Sequence, residues 1–126
     1  MSGEQFPVTW SGRTAVVRLP AEVDLTKSDA AREALLAALN QGALALIVDM
    51  TATTFCDSSG ITALVRAARR ASATDATIRL AVTSAPVLRV LSLVGIDRLI
   101  DIYPSVDAAR ASPRDKAGGP DQVTVV

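Results

Sequence analysis

Leu44-Ala45-Leu46-Ile47-Val48-Asp49-Met50 runs into the link Thr51 to Thr54, and then into Phe55-Cys56-Asp57-Ser58-Ser59-Gly60-Ile61. From Ala43 to Met50 the chain is almost continuously apolar, as expected of a central strand covered on both faces. A strand with one wet face would alternate instead. After the polar link the period changes: Ile61, Leu64, Val65 and Ala68 recur at i, i+3, i+4 and i+7, the spacing of one helix face. Arg66, Arg69 and Arg70 fall mostly on other faces of that helix. A buried strand feeding a helix through a short link is the unit of a layered α/β domain.

The flanking sequence extends this pattern in both directions. Val8-Thr9-Trp10 and Thr14 to Leu19 read as two strands joined as a hairpin at Ser11-Gly12. From Thr26, Ala31, Leu35, Ala38 and Leu39 share a helix face, with Thr26 or Ser28 as the cap and Gly42 as a left-handed stop. Thr77 to Val82 is another strand. Ser84-Ala85-Pro86 then opens a helix that ends at Gly95, with Ser84 capping and Pro86 in the first turn. Leu99 to Tyr103 reads as a last short strand and Ser105 to Ala111 as a last helix. The expected fold is α/β, a mixed but mostly parallel sheet of about five strands with about four helices, within residues 1–112. From Ser112 the periodicity stops, and residues 113–126 read as a disordered C-terminal tail.

Composition narrows the chemistry. Of the 126 residues 49% are hydrophobic but only 3% aromatic, so Leu, Val, Ile and Ala must fill the core. Thirteen basic and thirteen acidic residues cancel, which leaves no footprint for nucleic acid or anionic lipid. The expected partner is a protein or a small molecule. No segment approaches the ~18 unbroken apolar residues of a membrane span, and the start lacks a basic, then apolar, leader. The expected location is the cytoplasm. Cys56 is the only cysteine and histidine is absent, so imidazole-based nucleophilic catalysis, H-E-x-x-H zinc sites and histidine phosphorelay are excluded within this chain. No P-loop or G-x-G-x-x-G is present, and no cofactor is expected.

Sites in parallel sheets lie at the carboxyl ends of strands, which here is Asp49 to Gly60. A helix starting near Ser58 presents free N–H groups and a positive dipole end, and these would receive a phosphate placed on a hydroxyl there. Gly60, without a Cβ, would let a partner's backbone approach. Asp and Ser are also favoured N-caps, so Asp57-Ser58-Ser59 equally fits a plain cap. Gly60 speaks for some further demand, since glycine inside a helix costs on the order of 1 kcal/mol against Ala.

These residues resemble the STAS domains of anti-sigma-factor antagonists. The likeness spans roughly residues 8 to 110 and is most specific in Val48-Asp49-Met50 followed by Phe55 to Ile61. Glu22-Val23-Asp24-Leu25-Thr26 resembles the family's Gly-Glu-Leu/Val-Asp segment, with Ala21 standing where Gly is usual. The resemblance implies Ser58 as a phosphoacceptor, with Asp24 and Asp57 beside it and Ser59 and Gly60 shaping the helix start. It implies no enzyme activity and two kinds of partner: an anti-sigma factor that is itself a serine kinase, and a serine phosphatase. The unphosphorylated chain would hold the anti-sigma factor, and phosphorylation would release it.

Other readings have less behind them. A receiver domain phosphorylated on Asp49 would need a carboxylate cage near the first strands, and Thr14 to Leu19 ends without an acidic pair. An enzyme using Ser58 or Ser59 as nucleophile would lack both a G-x-S-x-G elbow and a histidine. A STAS module serving a larger sensory assembly is not separated from a sigma switch by sequence. Leu88, Leu91 and Leu93-Val94 read as core and flank. Cys56 reads as a packed thiol whose place before a helix start would lower its pKa.

Overall fold

The computed structural model describes residues 6–112, so the stretch read as a tail, 113–126, lies outside the described residues. The apolar stretch forms β4 (Ala45–Met50), the middle strand of a five-stranded sheet. The preceding hairpin supplies β1 (Val8–Ser11) and β2 (Thr14–Arg18), and β6 (Thr77–Val82) and β7 (Asp101–Tyr103) complete the order β1-β2-β4-β6-β7. Only β1 runs antiparallel, in the register Ser11↔Thr14, while β2, β4, β6 and β7 are parallel.

Alternation along the buried strands separates two cores. Ala15, Val17, Leu46, Val48, Met50, Leu80 and Val82 point into the main core, which is roofed by α1 (Leu25–Asn40) and α2 (Ser58–Ala73). Val16 and Ile47 point the other way, onto Ala109 of α5 (Val106–Ala111). Helices therefore cover both faces, which is why β4 carries no polar alternation before Asp49. Further along, α3 (Ala85–Leu93) is capped by Ser84, whose hydroxyl accepts from the Val87 N–H, and is stopped at Gly95, where φ is +86°. Gly42 likewise follows α1 at φ +100°.

Three features depart from the pattern expectations. A single helical turn, α4 (Ile96–Leu99), follows Gly95 at once, so the last strand begins at Asp101 rather than Leu99 and the described residues hold five helices. The α2 face turned inward is Gly60, Ala63, Leu64, Ala67, Ala68 and Ala71, so its small residues make the close contact and Ile61 and Val65 are only half-buried. Leu91 is core as expected, but Leu93 and Val94 stand in solvent. Among the described residues no helix is long and apolar enough to cross a membrane.

Candidate functional site

Beyond the carboxyl ends of β2 and β4 the chain makes a second, two-stranded parallel sheet from β3 (Glu22–Val23) and β5 (Phe55–Cys56). The two loops that lead to it are stitched together. Thr53 is fully buried and its hydroxyl donates to the Pro20 carbonyl at 2.8 Å, while the Thr54 N–H donates to the Ala21 carbonyl, also at 2.8 Å. Ala21 lies outside the left-handed region, so its replacement of the usual Gly carries no backbone strain.

The register Val23↔Cys56 sets the next residues, Asp24 and Asp57, side by side at the starts of α1 and α2. Each is the N-cap of its helix, and each uses the same device. Asp24 Oδ1 accepts from the Thr26 N–H (3.0 Å) and hydroxyl (2.6 Å). Asp57 Oδ1 accepts from the Ser59 N–H (2.9 Å) and hydroxyl (2.6 Å), and from the Gly60 N–H (3.3 Å). The hydroxyl bond is the main force holding each carboxyl below its ordinary value, from Thr26 for Asp24 and from Ser59 for Asp57. A contribution from the Leu25 N–H also reaches Asp57, tying the start of α1 to the cap of α2.

This arrangement corrects four expectations. Asp24 caps α1, where Thr26 or Ser28 was expected. The α2 amides of Ser59 and Gly60, expected to receive an added phosphate, are already occupied by the Asp57 carboxylate. Gly60 is buried and turned inward: a Cβ there would lie 2.7 Å from Cys56 Sγ, 2.9 Å from Val23 Cγ1 and 3.1 Å from the Val23 carbonyl oxygen. Its lack of a side chain lets α2 seat on β3 and β5 and offers no path to an outside backbone. The Cys56 thiol is pushed up, to about 11, first by burial and then by the charge of Asp57.

Of the residues singled out, Asp24, Asp57, Ser58, Ser59 and Gly60 thus share one end of the molecule. Ser58 differs from the others. It is the first residue of α2, it is exposed, and its hydroxyl makes no hydrogen bond among the described residues. Two apolar side chains not anticipated at this end are Leu25, 75% exposed at the first position of α1, and Phe55, 50% exposed on β5. The sequence signal for the paired caps is Asp-x-Ser/Thr, present at Asp24-Leu25-Thr26 and Asp57-Ser58-Ser59. It recurs at Asp49-Met50-Thr51, where Thr51 donates both N–H and hydroxyl to Asp49 Oδ1. Among the described residues no group of three or more His, Cys, Asp or Glu could hold a metal ion.

A mostly parallel sheet clad on both faces, with two carboxylate-capped helices starting side by side beyond its strand ends, defines a small layered α/β domain. The STAS domain family model matches residues 5–109, and the chain belongs to that family. Among solved structures it is similar to an anti-sigma factor antagonist from Mycobacterium paratuberculosis at 23% identity and TM-score 0.77, over 84% of this chain and 90% of that one. The anti-sigma factor antagonist SpoIIAA in its unphosphorylated form is similar at 24% identity and TM-score 0.72, over 94% and 100%. The phosphorylated form of the Bacillus cell fate determinant SpoIIAA is similar at 24% identity and TM-score 0.65, over 84% and 97%. At these identities the likeness is one of fold. No curated protein matches the chain.

Proposed function

We propose that this chain is an anti-sigma-factor antagonist that works by binding rather than catalysis. Unphosphorylated, it engages an anti-sigma factor that is also a serine kinase, through the surface formed by Asp24, Asp57, Ser58 and Ser59. Transfer of phosphate to Ser58 ends the complex, and a serine phosphatase restores it. The observation that carries this reading is the division of labour at the start of α2. Asp57 does the capping, while Ser58 keeps an exposed, unbonded hydroxyl beside it. A side chain that the fold does not use is free to be modified.

The same geometry accounts for the sign of the switch. With the Ser59 and Gly60 amides already taken by Asp57, a phosphate of about −1.5 to −2 charges is not neutralised by the helix start. It stands instead among two carboxylates, and crowds a surface that a partner must approach closely. The fold is expected to survive, since no hydrogen bond of the cap passes through the Ser58 side chain.

Incubated with its kinase and ATP, the wild-type chain should gain one acid-stable phosphate and Ser58→Ala should gain none. Ser58→Ala should melt close to wild type, because it removes no cap, and should still bind the anti-sigma factor. Ser58→Asp should weaken that binding at least tenfold, about 1.4 kcal/mol. Phosphate on another residue, or unchanged binding by Ser58→Asp, would sink the proposal.

A further inference from the structure

The seam between α1 and α2 leaves a groove on the outer side of the helix pair, with a volume of about 710 Å³. Its apolar floor is Leu36, Ile61 and Val65, all half-buried, and its walls are Arg32, Arg66 and Arg69. A smaller cavity of about 230 Å³ shares Arg32, Thr62 and Arg66 with it and reaches Leu25 and Ser59. The two adjoin at these residues to give a trough along the seam, with Asp29 also lining its smaller part. From Ser59 to Arg70 the trough is roughly 16 Å long, at the ~1.5 Å rise per helical residue.

Its charge has no explanation within the fold. Arg70 lies in the last turn of α2, where a cation suits the helix dipole, and it also donates to Asn40 Oδ1 at 2.6 Å. Arg66 and Arg69 lie outside that turn, and neither makes an ion pair or hydrogen bond among the described residues. Arg32 pairs only with Asp29 and Glu33 on its own helix, and both carboxylates are mostly exposed. A chain whose formal charge is zero thus places two guanidinium groups without a partner among the described residues, Arg66 and Arg69, beside the apolar floor, with Arg32 and its partner Asp29 at the end nearer the caps. Apolar floor and cationic wall together are complementary to an amphipathic helix with acidic flanks. Nucleic acid would not need the aliphatic floor, and a bilayer would not fit a concave seam.

We propose that the α1/α2 groove is a second docking surface, and that it seats an acidic amphipathic helix of a partner protein. The apolar face of that helix lies on Leu36, Ile61 and Val65, and its carboxylates meet Arg66 and Arg69. The inference rests on the reading of this chain as a partner-binding module, but not on phosphorylation of Ser58.

The test uses the full chain and a fluorescein-labelled helical peptide of about 18 residues, with Leu at i, i+4, i+7 and Glu on both flanks. Anisotropy should show saturable binding that weakens as salt rises. Amide NMR shifts should concentrate on α1 and α2 around the groove. The double variant Arg66→Glu/Arg69→Glu should weaken binding at least tenfold with an unchanged circular dichroism spectrum, and the milder Arg66→Gln/Arg69→Gln should weaken it at least threefold. Replacing Glu by Gln in the peptide should do the same as the arginine changes. Ser58→Ala, which removes the hydroxyl and adds no charge, should bind the peptide as wild type does while gaining no phosphate, so failure of the phosphoswitch and failure of the groove give different results. Equal binding of the Glu and Gln peptides, unchanged binding by both arginine variants, shifts on another face, or no saturable binding would overturn the proposal. So would tighter binding of duplex DNA or phosphatidylserine vesicles through the same arginines.

Discussion

Asp24 and Asp57 each satisfy a helix start with one oxygen, and the cost of losing that service is set by protonation. Each carboxylate accepts bonds from an N–H and a hydroxyl at once, which favours its charged form. Both groups therefore titrate below their ordinary 3.8 in the folded chain. A depressed folded pKa adds stability that is fully present above the unfolded value and is lost as pH falls through the folded one. The melting temperature should consequently be flat with respect to these two groups from neutral pH down to about 5, then fall as the pH drops further. In Asp57→Asn, which keeps an acceptor but cannot titrate, the acid-side fall should be shallower than in wild type. An identical acid profile in that variant, followed by thermal melts from pH 2 to 7, would remove Asp57 from the account.

At the scale of elements, the starts of α1 and α2 are held together by two strands of only two residues each, β3 and β5. Periodicity could not have found them, since two residues cannot display an alternation. The long elements were legible for the opposite reason. β4 is buried on both faces and α1 repeats its apolar face over four turns, so pattern and burial coincide. Where contact is made by small side chains the signal inverts: the Ala-rich inward face of α2 looked weaker than the Ile61 and Val65 stripe that lines the outer groove. The acidic and hydroxyl residues of the site were readable as a motif, but their division of labour was not. It depends on which oxygen reaches which amide. Gly60 shows the difference most clearly, because its demand comes from Cys56 of β5 and Val23 of β3 packing beneath it and not from anything outside. Gly60→Ala should gain up to about 1 kcal/mol of helix propensity and lose about 1 to 3 kcal/mol to overpacking. A lower denaturation midpoint is therefore expected, with Gly60→Ser lower still, and a midpoint above wild type would show that β3 yields easily.

For the molecule as a whole, the sheet is covered unequally. One face carries α1, α2 and the main core with the candidate site at its edge, whereas the other carries α5, six residues long, over a small cluster of Val16, Ile47 and Ala109. Little apolar burial holds α5 down, and part of its attachment is polar. Arg79 of β6 is 4% exposed, and its guanidinium donates to the Ala109 carbonyl at 3.1 Å. Few buried contacts and a short helix are the conditions for local opening below the global unfolding energy. Amides of α5 should accordingly exchange with solvent sooner than those of β4 or α1. Arg79→Met keeps much of the aliphatic length but leaves the Ala109 carbonyl without this donor, a loss of about 1 to 3 kcal/mol. Exchange from α5 should then speed up by tenfold or more, while protection in α1 falls no further than the drop in global stability requires. Because α5 lies across the sheet from α1 and α2, the partner binding and Ser58 phosphorylation proposed above should not differ between this variant and wild type. Hydrogen exchange followed by NMR decides the matter: equal protection of α5 and β4 in the wild type, or unchanged α5 exchange in Arg79→Met, would mean that the two faces open only together.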